Sequence, residues 1–160
     1  MKVLLILKPD CIEKGLESEV KKILTSKGYT IVAERRIERV SVDELEAHYN
    51  TLGKLRERLT EAKGAEFAEE VIKSTFDYMS RGPILPFVVE KDGNDEEVVA
   101  TLRNEVIGAT RPWQAKKGTI RELYGNKDEN HEPIENVIHC SGNAEEAYAE
   151  VGLWFPELAW

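Results

Sequence analysis

The chain is predicted to adopt an α/β (α+β) fold: one four-stranded, mainly antiparallel sheet of ferredoxin-like, split βαβ layout, with helices packed on it. Three observations carry this reading. Short runs rich in apolar and β-branched residues recur along the chain, helical stripes lie between them, and turn or capping signals separate the two kinds of segment. The length of 160 residues suits a single domain with a real core.

The elements follow in order. "KVLLILKP" is a fully buried strand closed by Pro9. Leu16, Val20, Ile23, Leu24 and Lys27 share one helix face that ends at Gly28, where a glycine C-cap is expected. "YTIVAERRIERV" is a second strand. Ser41 and Glu44 form a capping box, and the helix they start continues through Leu45, Tyr49, Leu52 and Leu55. Lys63-Gly64 interrupts it. A further stripe follows on Phe67, Val71, Ile72, Thr75, Phe76 and Met79. "PILPFVVE" is a third strand and "KDGN" a turn. Val98, Val99, Leu102 and Val106 mark another helix. "GATRPWQAKKGTIRELYG" has no clear period and is expected to be a long loop, of the kind that usually carries function. "ENVIHCS" is the fourth strand, and Asn143 caps a last helix through Trp154.

Composition excludes several classes. The net charge of -8 repels nucleic-acid phosphates, so no nucleic-acid partner is expected. Lys8, Arg103, Arg111 and Arg121 remain available for a local anion pocket. "MKVLLIL" is too short to span a bilayer and lacks a cleavage pattern, so no membrane partner is expected and the location is expected to be cytoplasmic. Cys11 and Cys140 have no framework spacing and fit free thiols. No paired ligand spacing surrounds Cys11, Cys140 and His139, so no metal centre is expected.

Of the three histidines, His48 lies on a charged helix and His131 in a polar loop; both are expected at the surface. His139 differs, because it ends a strand just before a helix N-cap. A neutral imidazole is a good nucleophile near pH 7. Glu150 follows about three helical turns later, close enough in a folded-back helix to fix the ring's tautomer. Ser141 can add a hydrogen bond. No Gly-rich phosphate loop of the Walker type occurs.

Taken together, these motifs resemble the nucleoside diphosphate kinase family over nearly the whole chain. The matching stretches are Lys8-Pro9-Asp10, His48-Tyr49, "SRGPILPFVVE", "GATRP" from Gly108, "GTIR" from Gly118, "NVIHCS" and the terminal "EVGLWF". The resemblance implies a ping-pong transfer of the γ-phosphoryl of ATP through a phosphohistidine on His139 to nucleoside diphosphates. It also implies that Lys8 and Tyr49 sit beside His139, that Thr110 and Arg121 hold the phosphates with Arg103 adding charge, that Asn136 binds the sugar and that Glu150 orients His139. Mg²⁺ would arrive with the nucleotide, and a homo-oligomer is expected. The alternative is a non-catalytic nucleotide-binding or interaction module with the same fold.

Two departures from the family pattern bear most directly on the nucleotide site. The helical segment around 50–77 is longer than usual by about a dozen residues, and Phe67, Val71 and Phe76 all fall near the base-stacking position without matching it. Gly108 stands five residues after Arg103, where the family has four, so Asn104 takes the expected place. Either Asn104 substitutes, or the helix absorbs the extra residue as a single bulge; the bulge is the favoured reading.

Overall fold

A computed structural model describes the whole chain, residues 1–160. Strands β1 (Lys2–Leu7), β2 (Thr30–Glu34), β3 (Leu85–Glu90) and β4 (Ile138–Cys140) form one sheet in the order β2-β3-β1-β4. Every neighbouring pair is antiparallel. The helices are α1 (Pro9–Glu13), α2 (Glu17–Ser26), α3 (Val42–Leu45), α4 (Leu55–Lys63), α5 (Ala65–Ser80), α6 (Asp95–Thr101), α7 (Ile120–Tyr124) and α8 (Ala144–Trp154). This is the α+β architecture the sequence predicts.

Strand β1 lies inside the sheet and is buried on both faces, as its unbroken apolar run requires. Its side chains alternate between two cores. Leu5 and Leu7 join Phe87 and Val89 under α2 and α6. Leu4 and Ile6 join Val88 under α5 and α8, with Tyr78, Met79, Val151 and Trp154. The capping box is present: Ser41 Oγ accepts from the Glu44 N–H at 3.1 Å and Glu44 Oε1 accepts from the Ser41 N–H at 3.2 Å. Asn143 caps α8 by accepting from the Glu146 N–H at 2.9 Å.

Four local expectations are corrected. The helix begun at Ser41 does not run unbroken through Leu55. It widens into a π-turn over Glu46–Leu52 and stops at Lys54, whose φ of 51° is left-handed. The break at Gly64 occurs as expected, with φ +89°. The long loop contains α7, which was missed because five residues are too few to show a period. Strand β4 is shorter than "ENVIHCS": Val137 has φ 64°, so pairing begins only at Ile138. Finally, His48 is buried, only 4% exposed, because the spacing Leu45, His48, Leu52 places it on the inward stripe despite its charged neighbours.

The helix after α6 widens into a second π-turn, Leu102–Ile107, and the Gly108 N–H donates to the Arg103 carbonyl at 2.8 Å. The extra residue is absorbed as a bulge. Gly108 then turns with φ +99°, and a Cβ there would collide with the Thr119 side chain, so only glycine fits.

Candidate active site

His139 pairs with Ile6 across β1 and β4, so its side chain shares the sheet face covered by α8. There Nε2 lies 2.7 Å and 3.2 Å from the two carboxylate oxygens of Glu150. The Ser141 hydroxyl donates to Glu150 Oε2 at 2.8 Å. Burial pushes the Glu150 carboxyl up, but the charge and hydrogen bond of His139, with smaller help from His48 and Ser141, outweigh it. The net shift is downward, and the group stays ionised. An ionised carboxylate only accepts, so Nε2 carries a hydrogen, and in the neutral ring Nδ1 is the nitrogen with the lone pair.

Two arginines reach the backbone beside His139 although the chain is acidic overall. Arg121 is buried and donates to the Ile138 carbonyl at 2.7 Å and to the Gly108 carbonyl at 3.0 Å. Arg103 donates to the Cys140 carbonyl at 3.3 Å. Two guanidinium groups therefore hold the carbonyls on either side of His139. Asn104 is exposed. Burial, with some repulsion from Arg103, lowers Arg121 to about 10, which leaves it charged at neutral pH.

Lys8, at the end of β1, donates to Asn136 Oδ1 at 2.7 Å, and Asn136 Nδ2 donates to the Thr110 carbonyl at 2.9 Å. This chain links three of the expected residues, and the Thr110 side chain is exposed at its end. Burial and then Arg121 lower Lys8 to about 7, with Asp10 opposing. Tyr49 meets the His48 ring edge-on at 4.8 Å, and burial pushes its hydroxyl up, so it stays protonated.

The family profile described as nucleoside diphosphate kinase matches residues 2–159. The chain belongs to the nucleoside diphosphate kinase family. A nucleoside diphosphate kinase from Streptococcus pneumoniae (strain P1031) is 33% identical over 150 residues, covering 94% of this chain and 96% of its own. Another from Chlorobaculum tepidum is 35% identical over 154 residues, covering 96% and 92%. Among solved structures, an NDP kinase from Pyrobaculum aerophilum superposes with a TM-score of 0.78 at 27% identity, over 99% and 98% of the two chains. The Borrelia burgdorferi nucleoside-diphosphate kinase, a transition state mimic with bound vanadate and ADP, superposes with a TM-score of 0.77 at 30% identity, over 97% and 86%. The protein is thus a kinase of nucleoside diphosphates, a phosphotransferase by family.

The segment around 50–77 forms α4 and most of α5; α4 buries none of its residues, while α5 sends Tyr78 and Met79 into the core. Sequence reasoning missed three residues at the site. His48 and Trp154 meet beside His139. Asp10 is buried and accepts from the Tyr78 hydroxyl at 2.5 Å and from the Val137 N–H at 3.1 Å. It thereby holds the left-handed backbone that turns the chain into β4. The available signals were an acid just past the apolar strand, in the first turn of α1, and a tryptophan one helical turn after Glu150.

Ligand atoms of His48, His139 and Glu150 lie within 4.8 Å of one another. Their hydrogen bonds do not suit a metal: Glu150 already takes the His139 Nε2–H, and Trp154 donates to His48 Nδ1. No helix is long and apolar enough to cross a membrane.

Proposed function

We propose that the protein moves the γ-phosphoryl of ATP to nucleoside diphosphates by a ping-pong reaction through Nδ1 of His139. The observation that carries this is the Glu150 carboxylate on His139 Nε2, at 2.7 Å, on a strand whose flanking carbonyls are held by Arg103 and Arg121. The Nδ1 lone pair attacks the γ-phosphorus, and the bond to the β-γ bridging oxygen breaks as ADP leaves. The ring becomes a positively charged phosphoimidazole whose Nε2–H stays on Glu150, so no proton has to move. An oxygen of the incoming diphosphate's terminal phosphate then attacks the same phosphorus and the neutral imidazole returns.

Such transfers depend on positioning and charge stabilisation. In this reading Arg103 and Arg121 hold β4 rigid and add positive charge, Lys8 and the Thr110 hydroxyl meet phosphate oxygens, and Asn136 orients Lys8 and reaches the sugar. Tyr49 donates its hydroxyl at the transferring group. Mg²⁺ enters as part of the nucleotide substrate, held by phosphates and water; the one carboxylate beside His139, Glu150, is already taken up by His139 and Ser141. The 160 residues act as one catalytic unit. Two free buried cysteines fit the reducing cytoplasm as its location. The half-open edge strand β2, with Val32 exposed, supports assembly into a homo-oligomer.

The test is label from γ-labelled ATP. The wild-type chain should form an acid-labile, base-stable phosphoprotein, and His139→Ala should form none while keeping its fold. Label retained in His139→Ala would sink the proposal. Cys140→Ser should remain active, since burial pushes that thiol up to about 12 and leaves it inert.

A further inference from the structure

Helix α8 carries two polar groups one turn apart, and each engages a different histidine. Glu150 grips His139, as described above. Trp154 Nε1–H donates to His48 Nδ1 at 3.1 Å, with both residues buried. Between these two contacts the imidazoles meet edge to face, centroids 4.6 Å apart at 81°. The arrangement runs Trp154, His48, His139, Glu150, and both ends are anchored on one helix.

The donor fixes the chemistry of His48. Indole nitrogen can only donate, so His48 Nδ1 must present a lone pair, and the ring's hydrogen sits on Nε2. Protonating Nδ1 would set two N–H groups against each other in a dry interior. His48 is therefore neutral and has one tautomer. Burial first, and the neighbouring His139 second, lower its titration to about 3, which agrees with that geometry.

We propose that His48 is a positioning residue for His139: locked by Trp154, it braces the His139 ring in the plane that keeps Nε2 on Glu150 and Nδ1 facing the incoming phosphorus. The proposal rests on the reading of His139 as nucleophile. A ring free to rock away from Glu150 would lose the near-attack geometry on which phosphoryl transfer depends. A charged neighbour would also repel the phosphoimidazolium, whereas a neutral His48 does not.

Two measurements test this. In the wild-type chain with ¹⁵N-labelled histidine, long-range ¹H–¹⁵N spectra near neutral pH should show His48 protonated at Nε2 only. Trp154→Phe keeps the packing of the ring and removes the N–H. It should slow single-turnover phosphoenzyme formation about 10- to 100-fold, while the ATP concentration giving half the maximal rate changes by less than about twofold. His48→Asn is the second variant. Its side-chain oxygen can still accept from Trp154, so the fold is preserved, but no ring braces His139; it should be as slow as Trp154→Phe. A wild-type rate in either folded variant, or a His48 protonated at Nδ1, overturns the proposal. Failure of the underlying reading has another signature. Label retained in His139→Ala removes both ideas, whereas loss of label there with a wild-type rate in Trp154→Phe removes this one alone.

Discussion

Lys8 holds its amine where too little water reaches it to favour the charge. Burial and Arg121 lower it to about 7, against the ordinary lysine value. The sign of the consequence follows from linkage. Between about 7 and the unfolded value the unfolded chain binds a proton that the folded chain lacks, so this group makes stability rise with pH across that window. A nucleotide's phosphates should restore the ammonium. Nucleotide binding near pH 8.5 should therefore take up close to one proton, read by calorimetry in buffers of different ionisation enthalpy, and Lys8→Met should abolish the uptake. At Glu150 the sign is reversed: its lowered carboxyl stabilises the fold above the unfolded carboxylate value, and that contribution is lost as pH falls through the folded value. Glu150→Gln removes a charge-assisted bond worth about 1.5–3 kcal/mol, so turnover should fall about 10- to 100-fold with nucleotide affinity nearly unchanged. A large loss of affinity with normal turnover at saturation would contradict the orienting role.

At the scale of elements, the two π-turns matter most, since Glu46–Leu52 carries His48 and Tyr49 while Leu102–Ile107 carries Arg103. The second was legible in the sequence as one residue too many before Gly108, because an inserted residue must either rotate the side chain by about 100° or bulge the helix. Arg103 points at the Cys140 carbonyl and Asn104 at solvent. Steady-state kinetics should accordingly show Arg103→Ala losing about 100- to 1000-fold and Asn104→Ala changing little; the opposite ranking would give the phosphate position to Asn104. The first π-turn left no such mark, because its sequence reads as an ordinary amphipathic stretch. Helix α4 is held mainly at the surface, with Arg56 bridging Glu46 and Glu69. Such ion pairs contribute about 0–1 kcal/mol each, so α4 should exchange its amides early while the Tyr78 end of α5 stays protected. Hydrogen exchange with ADP present should add protection in α5, next to Asp10 and β4. No added protection anywhere in α4 or α5 would remove this segment from the nucleotide cleft.

For the molecule as a whole, β1 couples two cores that share no side chains. Leu4 and Leu5 are both fully buried and face opposite ways. Leu4→Ala and Leu5→Ala should each cost about 2–5 kcal/mol, and urea unfolding of either variant should remain a single transition by near- and far-UV circular dichroism. Separate transitions would mean that the two layers fold independently. An acidic surface and locally clustered cations coexist for a related reason: net charge is an average over the surface, while Lys8, Arg103 and Arg121 come from different parts of the chain to β4 and the turn before it.

What the sequence determined by itself was everything written in periodicity and local chemistry. The four strands, the capping box at Ser41, the break at Gly64 and the cap at Asn143 all depend on neighbours within a few residues. His139 and Glu150 were legible too, since one strand end and three helical turns bring them together by local geometry. Tertiary structure alone decided the rest. His48 meets Trp154 across 106 positions, Lys8 meets Asn136 across 128, and Asp10 reaches Val137 across 127. A polar residue's inward turn is set by the donor or acceptor waiting in the interior, and that partner exists only once the sheet and its helices have closed over it.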